Sequence, residues 1–135
     1  MKRIFFDANV LFTAAHNPDG KAALVIELGA TGHWRLVTSV YAAEEARRNL
    51  SLKFPSNLPM LEKQLTNFLL VHPTASAPRI DGLVDKDQPI FQAAYSCKST
   101  HLLTGDIKDF GPWMNQPDRT YGIVIQTVAQ FLESL

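Results

Sequence analysis

The sequence contains a single cysteine, Cys97, so an internal disulfide and a zinc site built from several cysteines are both excluded. It also lacks net charge, because 13 Lys and Arg balance 13 Asp and Glu. Overall charge therefore gives no affinity for nucleic acid; such a partner would have to meet a local basic patch, or an acidic one neutralised by metal. No apolar run reaches the length needed to span a membrane. The short run after Met1-Lys2-Arg3 breaks at Asp7, too early for a signal peptide. His16, His33, His72 and His101 are scattered without metal-ligand spacing, which argues against a histidine-based zinc centre. Repeats and low-complexity tracts are absent too. The densest Pro/Ser/Thr stretch, Val71 to Pro78, is too short for a domain linker. The single cysteine fits a reducing, cytoplasmic setting.

What is present is enough for a packed core. The chain has 135 residues, of which 46% are hydrophobic and 19% charged, so residues 1–135 read as one domain. Ile4-Phe5-Phe6 reads as a buried strand ending at Asp7. Val10 to Ala15 looks helical, Asn17-Pro18-Asp19-Gly20 is a turn, and Lys21 to Ala30 has helical apolar spacing. Trp34 to Thr38 reads as a second strand. Ser39 is placed to cap a helix that runs to about Leu52. Leu58 to Leu70 reads as a further helix, and a loop with room for a short strand follows it. Asp87-Gln88-Pro89 opens a helix running to about Cys97. His101 to Thr104 and Gly122 to Ile125 are the remaining strands, and Thr127 to Leu135 the last helix. Strands alternating with helices predict an α/β fold of three layers, α/β/α, around a short parallel sheet.

In such a sheet, ligands bind beyond the carboxyl ends of the strands. Asp7 directly follows the first strand, and Asp106 follows the strand that ends at Thr104. Asp87 opens a helix after a loop, and Glu45 lies about two turns into the helix after Ser39. Four carboxylates from four segments can thus meet at one edge. Crowded carboxylates resist joint ionisation unless a cation lies among them, and all-oxygen donors favour Mg²⁺ or Mn²⁺. Each residue alone also has an ordinary reading. Asp7 and Asp87 suit helix caps, Glu45 a solvated helix face, and Asp106 and Asp109 a turn. Glu44 beside Glu45, and Asp85 beside Asp87, leave the choice of carboxylate open in both places.

The order of these motifs resembles that of the PIN-domain family, and within it the VapC-type toxins. Phe6-Asp7-Ala8-Asn9-Val10-Leu11 resembles the family's first box. Ser39 through Glu45 resembles its Ser, five-residue gap, Glu pattern. Asp87 through Ala94 resembles its third acidic box. Leu102 through Phe110, with Thr104-Gly105-Asp106 and Asp109-Phe110, resembles its last. The resemblance implies that Asp7, Glu45, Asp87 and Asp106 bind metal and carry catalysis. Asp109 is implied as an outer or fifth acid, and Asn9 and Thr104 as residues that orient a carboxylate or a water. It further implies an Mg²⁺- or Mn²⁺-dependent endoribonuclease acting on RNA, a homodimer silenced by a small antitoxin.

Two rival readings stand beside it. A haloacid-dehalogenase-like phosphatase also uses an Asp after its first strand but needs a second Asp two residues on, where this chain has Asn9. A non-catalytic binding module could keep the fold, although four intact acids argue against it. Arg47, Arg48, Lys53 and Lys108 are possible phosphate contacts, set against a solvated surface. Trp34 and Trp113 could stack on bases or pack in the core. Cys97 reads as a packed small hydrophobe rather than a nucleophile. Phe12, Leu58, Met60, Leu61 and Leu65 suit a dimer surface or the core equally. One consequence is testable at once. Mg²⁺ or Mn²⁺ should raise the melting temperature, with Glu45→Gln blunting that rise in differential scanning fluorimetry and Glu44→Gln leaving it intact.

Overall fold

Ile4, Phe5 and Phe6 are all fully buried, although successive strand residues point to opposite faces. Both faces of their sheet must therefore be covered, which is typical of parallel sheets. The computed structural model describes Met1 to Leu135 and has this arrangement. Strands β1 (Arg3–Phe6), β2 (Arg35–Ser39), β3 (Leu69–Val71), β4 (His101–Leu103) and β5 (Val124–Gln126) form one sheet in the order β3-β2-β1-β4-β5. Every neighbouring pair is parallel. Phe5 pairs with Val37 on one side and Leu102 on the other, which puts β1 at the centre. Seven helices accompany the sheet: α1 (Ala8–His16), α2 (Lys21–Ala30), α3 (Val40–Lys53), α4 (Leu58–Leu65), α5 (Gln88–Ser96), α6 (Ile107–Phe110) and α7 (Val128–Glu133).

Local chemistry explains most of the boundaries. The Ser39 hydroxyl accepts a hydrogen bond from the Ala42 amide at 3.0 Å and so caps α3. Thr127 and Gln130 form a reciprocal capping box at the start of α7. Helix α3 turns Ala42, Ala43, Ala46 and Leu50 inward, and the three small alanine side chains let it pack closely on α1. The Trp34 indole N–H donates to the Val25 carbonyl at 3.0 Å, and its ring meets Phe131 edge-on. Trp34 and Trp113 are both buried, so they serve the core rather than offering stacking faces. Leu61 and Leu65 are core residues as well, while Phe12, Leu58 and Met60 are partly buried against it. Cys97 is buried, with its Sγ 3.0 Å from the Ser99 hydroxyl. No helix is long and apolar enough to cross a membrane.

One expected element is overturned. The helix anticipated from Leu58 to Leu70 ends at Leu65. The Thr66 hydroxyl donates back to the Lys63 carbonyl at 2.6 Å, and Leu69 to Val71 pair with Val37 to Ser39 as the edge strand β3. The apolar Phe68-Leu69-Leu70-Val71 run reads equally well as helix or strand, and the unpaired side of β2 decides for strand.

Gly29 of α2 marks a close approach to the sheet. A Cβ there would lie 2.5 to 2.9 Å from three side-chain carbons of Leu36, which is itself buried. At Gly111 a Cβ would meet nothing nearer than 3.8 Å. Gly29→Ala is therefore expected to lower stability by about 1–3 kcal/mol despite alanine's better helix propensity. Gly111→Ala should be close to neutral, and urea denaturation midpoints compare the two.

Candidate metal centre at the sheet's carboxyl edge

The chain runs from β1 toward β2 and from β4 toward β5, on opposite sides of the sheet centre. The carboxyl ends of β1 and β4 thus border the crevice where an open parallel sheet binds ligands. Asp7 follows β1 directly, and its amide donates to the Leu103 carbonyl at 3.0 Å. Thr104, fully buried, follows β4, and its hydroxyl donates to Asp7 Oδ2 at 2.8 Å. Asn9 Nδ2 donates to the same oxygen at 3.2 Å, while Asn9 Oδ1 accepts from the Gly105 amide at 2.7 Å. Asp7 Oδ1 accepts from the Ala8 amide at 2.7 Å. Asp7 is therefore both a helix cap and a site-facing acid, and Asn9 and Thr104 fix its carboxylate.

The remaining acids arrive by other routes. Asp106 caps α6 by accepting from the Asp109 amide at 3.0 Å, which draws Asp109 alongside. Asp87 closes a 3₁₀ turn (Asp85–Asp87) just before α5, but its side chain makes no capping bond. Its carboxylate stays available to the site. One oxygen each from Asp87, Asp106 and Asp109 lie within 4.8 Å of one another. Beside them is a cavity of about 60 Å³ lined by Asp7, Glu45, Asp87 and Asp106 together with Asn9, Tyr41, Lys86 and Ile90. Glu44 is exposed and lies outside that lining. Asp85 is solvent-exposed and pairs with Arg79 at 2.9 Å. Glu45 and Asp87, rather than their acidic neighbours, thus face the cavity. The basic residues of α3 lie elsewhere, with Arg47 engaged by Glu62 through two bonds of 2.8 and 2.9 Å. Arg48, Lys53 and Lys108 are exposed.

Sequence reasoning gave Lys86 no role. Its ammonium lies 3.5 Å from Asp87, 3.5 Å from Asp106 and 3.2 Å from Asp109. A lysine beside an aspartate in a surface turn ordinarily points to water, so nothing local in the sequence marks it. Only the turn's geometry, with Asp106 and Asp109 brought in by β4, gives it three anionic partners.

The electrostatics follow from burial and proximity. Burial raises the Asp87 carboxyl to about 6, with Asp7 and Asp106 adding to the rise and Lys86 opposing it. Burial also raises Asp7, Glu45 adds to this, and the bonds from Thr104, Ala8 and Asn9 pull the other way. For Asp106, burial is outweighed by the Asp109 amide and by Lys86, and its carboxyl lies below the usual range. Lys86 is shifted upward: some desolvation opposes this, but Asp109, Asp87 and Asp106 prevail. A set of hard oxygen donors, two of them buried at a cost to their charged forms, fits a divalent cation such as Mg²⁺ or Mn²⁺.

No protein-family model matches the sequence, and no curated protein does. Solved structures share its architecture, two of them assemblies named VapBC. The crystal structure of VapBC2 from Rickettsia felis, bound to a DNA fragment from their promoter, superposes with a TM-score of 0.67 at 16% identity. That match covers 93% of this chain and 98% of the other. The fold is PIN-like. The structure of VapBC-1 from nontypeable Haemophilus influenzae gives a TM-score of 0.59 at 15% identity, covering 94% and 98% of the two chains. In a PIN-like fold of this size the four sequence-selected acids come from four segments separated by whole secondary-structure elements, yet they line one cavity.

The Asp87 shift has a definite sign. A carboxyl raised above its unfolded-chain value favours the folded state at low pH, and that contribution is lost as pH rises through about 6. In EDTA at pH 8, Asp87→Asn should therefore raise the melting temperature by about 2–5 °C. At pH 3.5, below the unfolded-chain value of 3.8, the same substitution should change it little. Thermal unfolding followed by circular dichroism at the two pH values checks both.

Proposed function

We propose that this chain is an Mg²⁺- or Mn²⁺-dependent endoribonuclease, the cytoplasmic toxin of a toxin–antitoxin pair. The observation that carries the reading is the convergence of Asp7, Glu45, Asp87 and Asp106 on one cavity at the carboxyl edge of a PIN-like sheet, with Asp109 beside them. Asp87, Asp106 and Asp109 would hold the ion, with Asp7 and Glu45 facing it. A divalent ion there supplies Lewis acidity toward water and a phosphate oxygen. The chain's own groups do the rest. Asp7 is held by Thr104 and Asn9 in one rotamer, so its charge is positioned before substrate arrives. Glu45 forms no hydrogen bond or ion pair within the chain, which leaves its carboxylate free to accept a proton from water. Asn9 is engaged by Asp7 and Gly105 and carries no acidic proton, so it does not supply the second acid that a haloacid-dehalogenase-like phosphatase needs.

A larger cleft of about 780 Å³ shares Asn9 and Asp106 with the acidic cavity and reaches Gly20 and Lys21 at the start of α2 and Thr127 at the start of α7. Space of that size next to the acids is large enough to admit a nucleotide unit of an RNA strand. The VapBC structures from Rickettsia felis and nontypeable Haemophilus influenzae are both assemblies, which supports a protein partner for this chain. We assign that role to a small antitoxin whose basic side chain enters the acidic cavity of a homodimeric toxin. Asp7→Asn keeps the capping oxygen and Asp106→Asn keeps its size, so both should fold. Each should lower cleavage of single-stranded RNA in Mn²⁺ by about 100-fold or more, because each removes a charge from the ion's surroundings. Asp19→Asn, in the exposed turn before α2, should cleave as the unsubstituted protein does. Full cleavage by Asp7→Asn, purified free of other nucleases, overturns the assignment.

A further inference from the structure

We propose that Lys86 is a built-in occupant of the acidic cluster, and that its ammonium and a divalent cation hold the cluster by turns. The proposal rests on the metal-dependent reading above, which it deepens by naming the residue that sets the site's affinity for metal.

Three observations carry it. The Lys86 ammonium contacts Asp87, Asp106 and Asp109 at 3.2 to 3.5 Å, and these are the same three acids whose oxygens lie within 4.8 Å of one another. It also lines the small cavity that Asp7 and Glu45 face. One positive charge thus stands where the acids need one, and it is attached to the chain. The second observation is reach. The Lys86 side chain is 65% exposed at its position in the 3₁₀ turn. Its long stem can leave the cluster for solvent without disturbing any buried packing. The third is geometry: all three contacts are longer than a tight charged hydrogen bond, and no single partner captures the ammonium. It is therefore held by the field of the cluster rather than by one rigid pair, and a doubly charged ion competes for the same field.

Lys86 is on this view a positioning residue. Without metal, it keeps three like charges together and preserves the arrangement of α5 relative to the β4–α6 turn. With metal, it is displaced to the mouth of the cavity. Its effects on the two states are opposite in sign, and that is what a test can read. A residue with a merely structural role would weaken the folded protein and the metal site together.

The experiment compares the full chain with Lys86→Met, Lys86→Gln and Lys86→Arg. Mn²⁺ binding is measured by the loss of the free-ion signal in electron paramagnetic resonance, and thermal unfolding is followed in EDTA. Met and Gln should bind Mn²⁺ more tightly by about tenfold, since the ion no longer has to displace a cation. In EDTA both should melt at a lower temperature than the unsubstituted protein. Arg, which keeps the charge and the reach, should restore both properties toward the original values. Equal or weaker Mn²⁺ binding by Met and Gln, with the unsubstituted protein binding the ion, overturns the role of Lys86 and leaves the metal site standing. Absence of Mn²⁺ binding in every variant overturns the metal reading and this proposal with it.

Discussion

Carboxylates cannot be crowded beyond the end of a parallel sheet and all remain charged without a cation among them. Much of this structure answers that constraint. Asp7 is neutralised in part by hydrogen bonds from Ala8, Asn9 and Thr104, Asp106 by the Asp109 amide, and the group formed by Asp87, Asp106 and Asp109 by Lys86. Asp87 alone among the buried acids has no donor except Lys86, and its carboxyl is raised to about 6. The less a carboxylate is compensated by the protein, the more it gains from an added ion. Under the proposed metal-dependent reading, the uneven distribution of hydrogen bonds would favour a cation on the Asp87 side of the cavity.

The same residues serve the fold and the site at once. Asp7 ends β1, caps α1 and receives the Thr104 hydroxyl across the central strand pair. Thr104 joins Asp7 to the Asp106 amide at 3.1 Å, so a single buried hydroxyl couples the two turns that present acids. A helix cap is worth about 1 kcal/mol, which makes such a residue useful to folding even where its charge is unfavourable. Capping and site-facing roles, which compete as explanations of a lone aspartate, are compatible here because the carboxylate has two oxygens and each is used differently.

How far the sequence could be read depended on how local each signal was. β1 followed by Asp7, and β4 followed by Thr104-Gly105-Asp106, are strand-then-turn patterns written within a few residues, and both strands lie where the pattern puts them. The Ser39 cap likewise fixes the start of α3, and with it the face on which Glu45 lies. The parallel α/β architecture followed from the alternation of such elements. By contrast, Leu69 to Val71 became a strand through pairing with β2, a partner some thirty residues away in the chain. The apolar pattern of that segment contains no trace of the choice. Asp85 and Asp87 could be separated only once the 3₁₀ turn had aimed one outward to Arg79 and the other inward. Lys86 was illegible for the same reason, since its partners on the β4–α6 turn are distant in sequence.

The bond between Thr104 and Asp7 joins residues 97 positions apart. The entropy of closing so long a loop must be met before any of its contacts is gained. A ribosome has released Asp7 and Glu45 into solvent long before Asp106 exists, and in that interval the acids are dispersed, singly hydrated and unable to act together. The acidic centre therefore cannot assemble from the first half of the chain alone. It appears when β4 docks beside β1, and it disappears with the first opening of that strand pair.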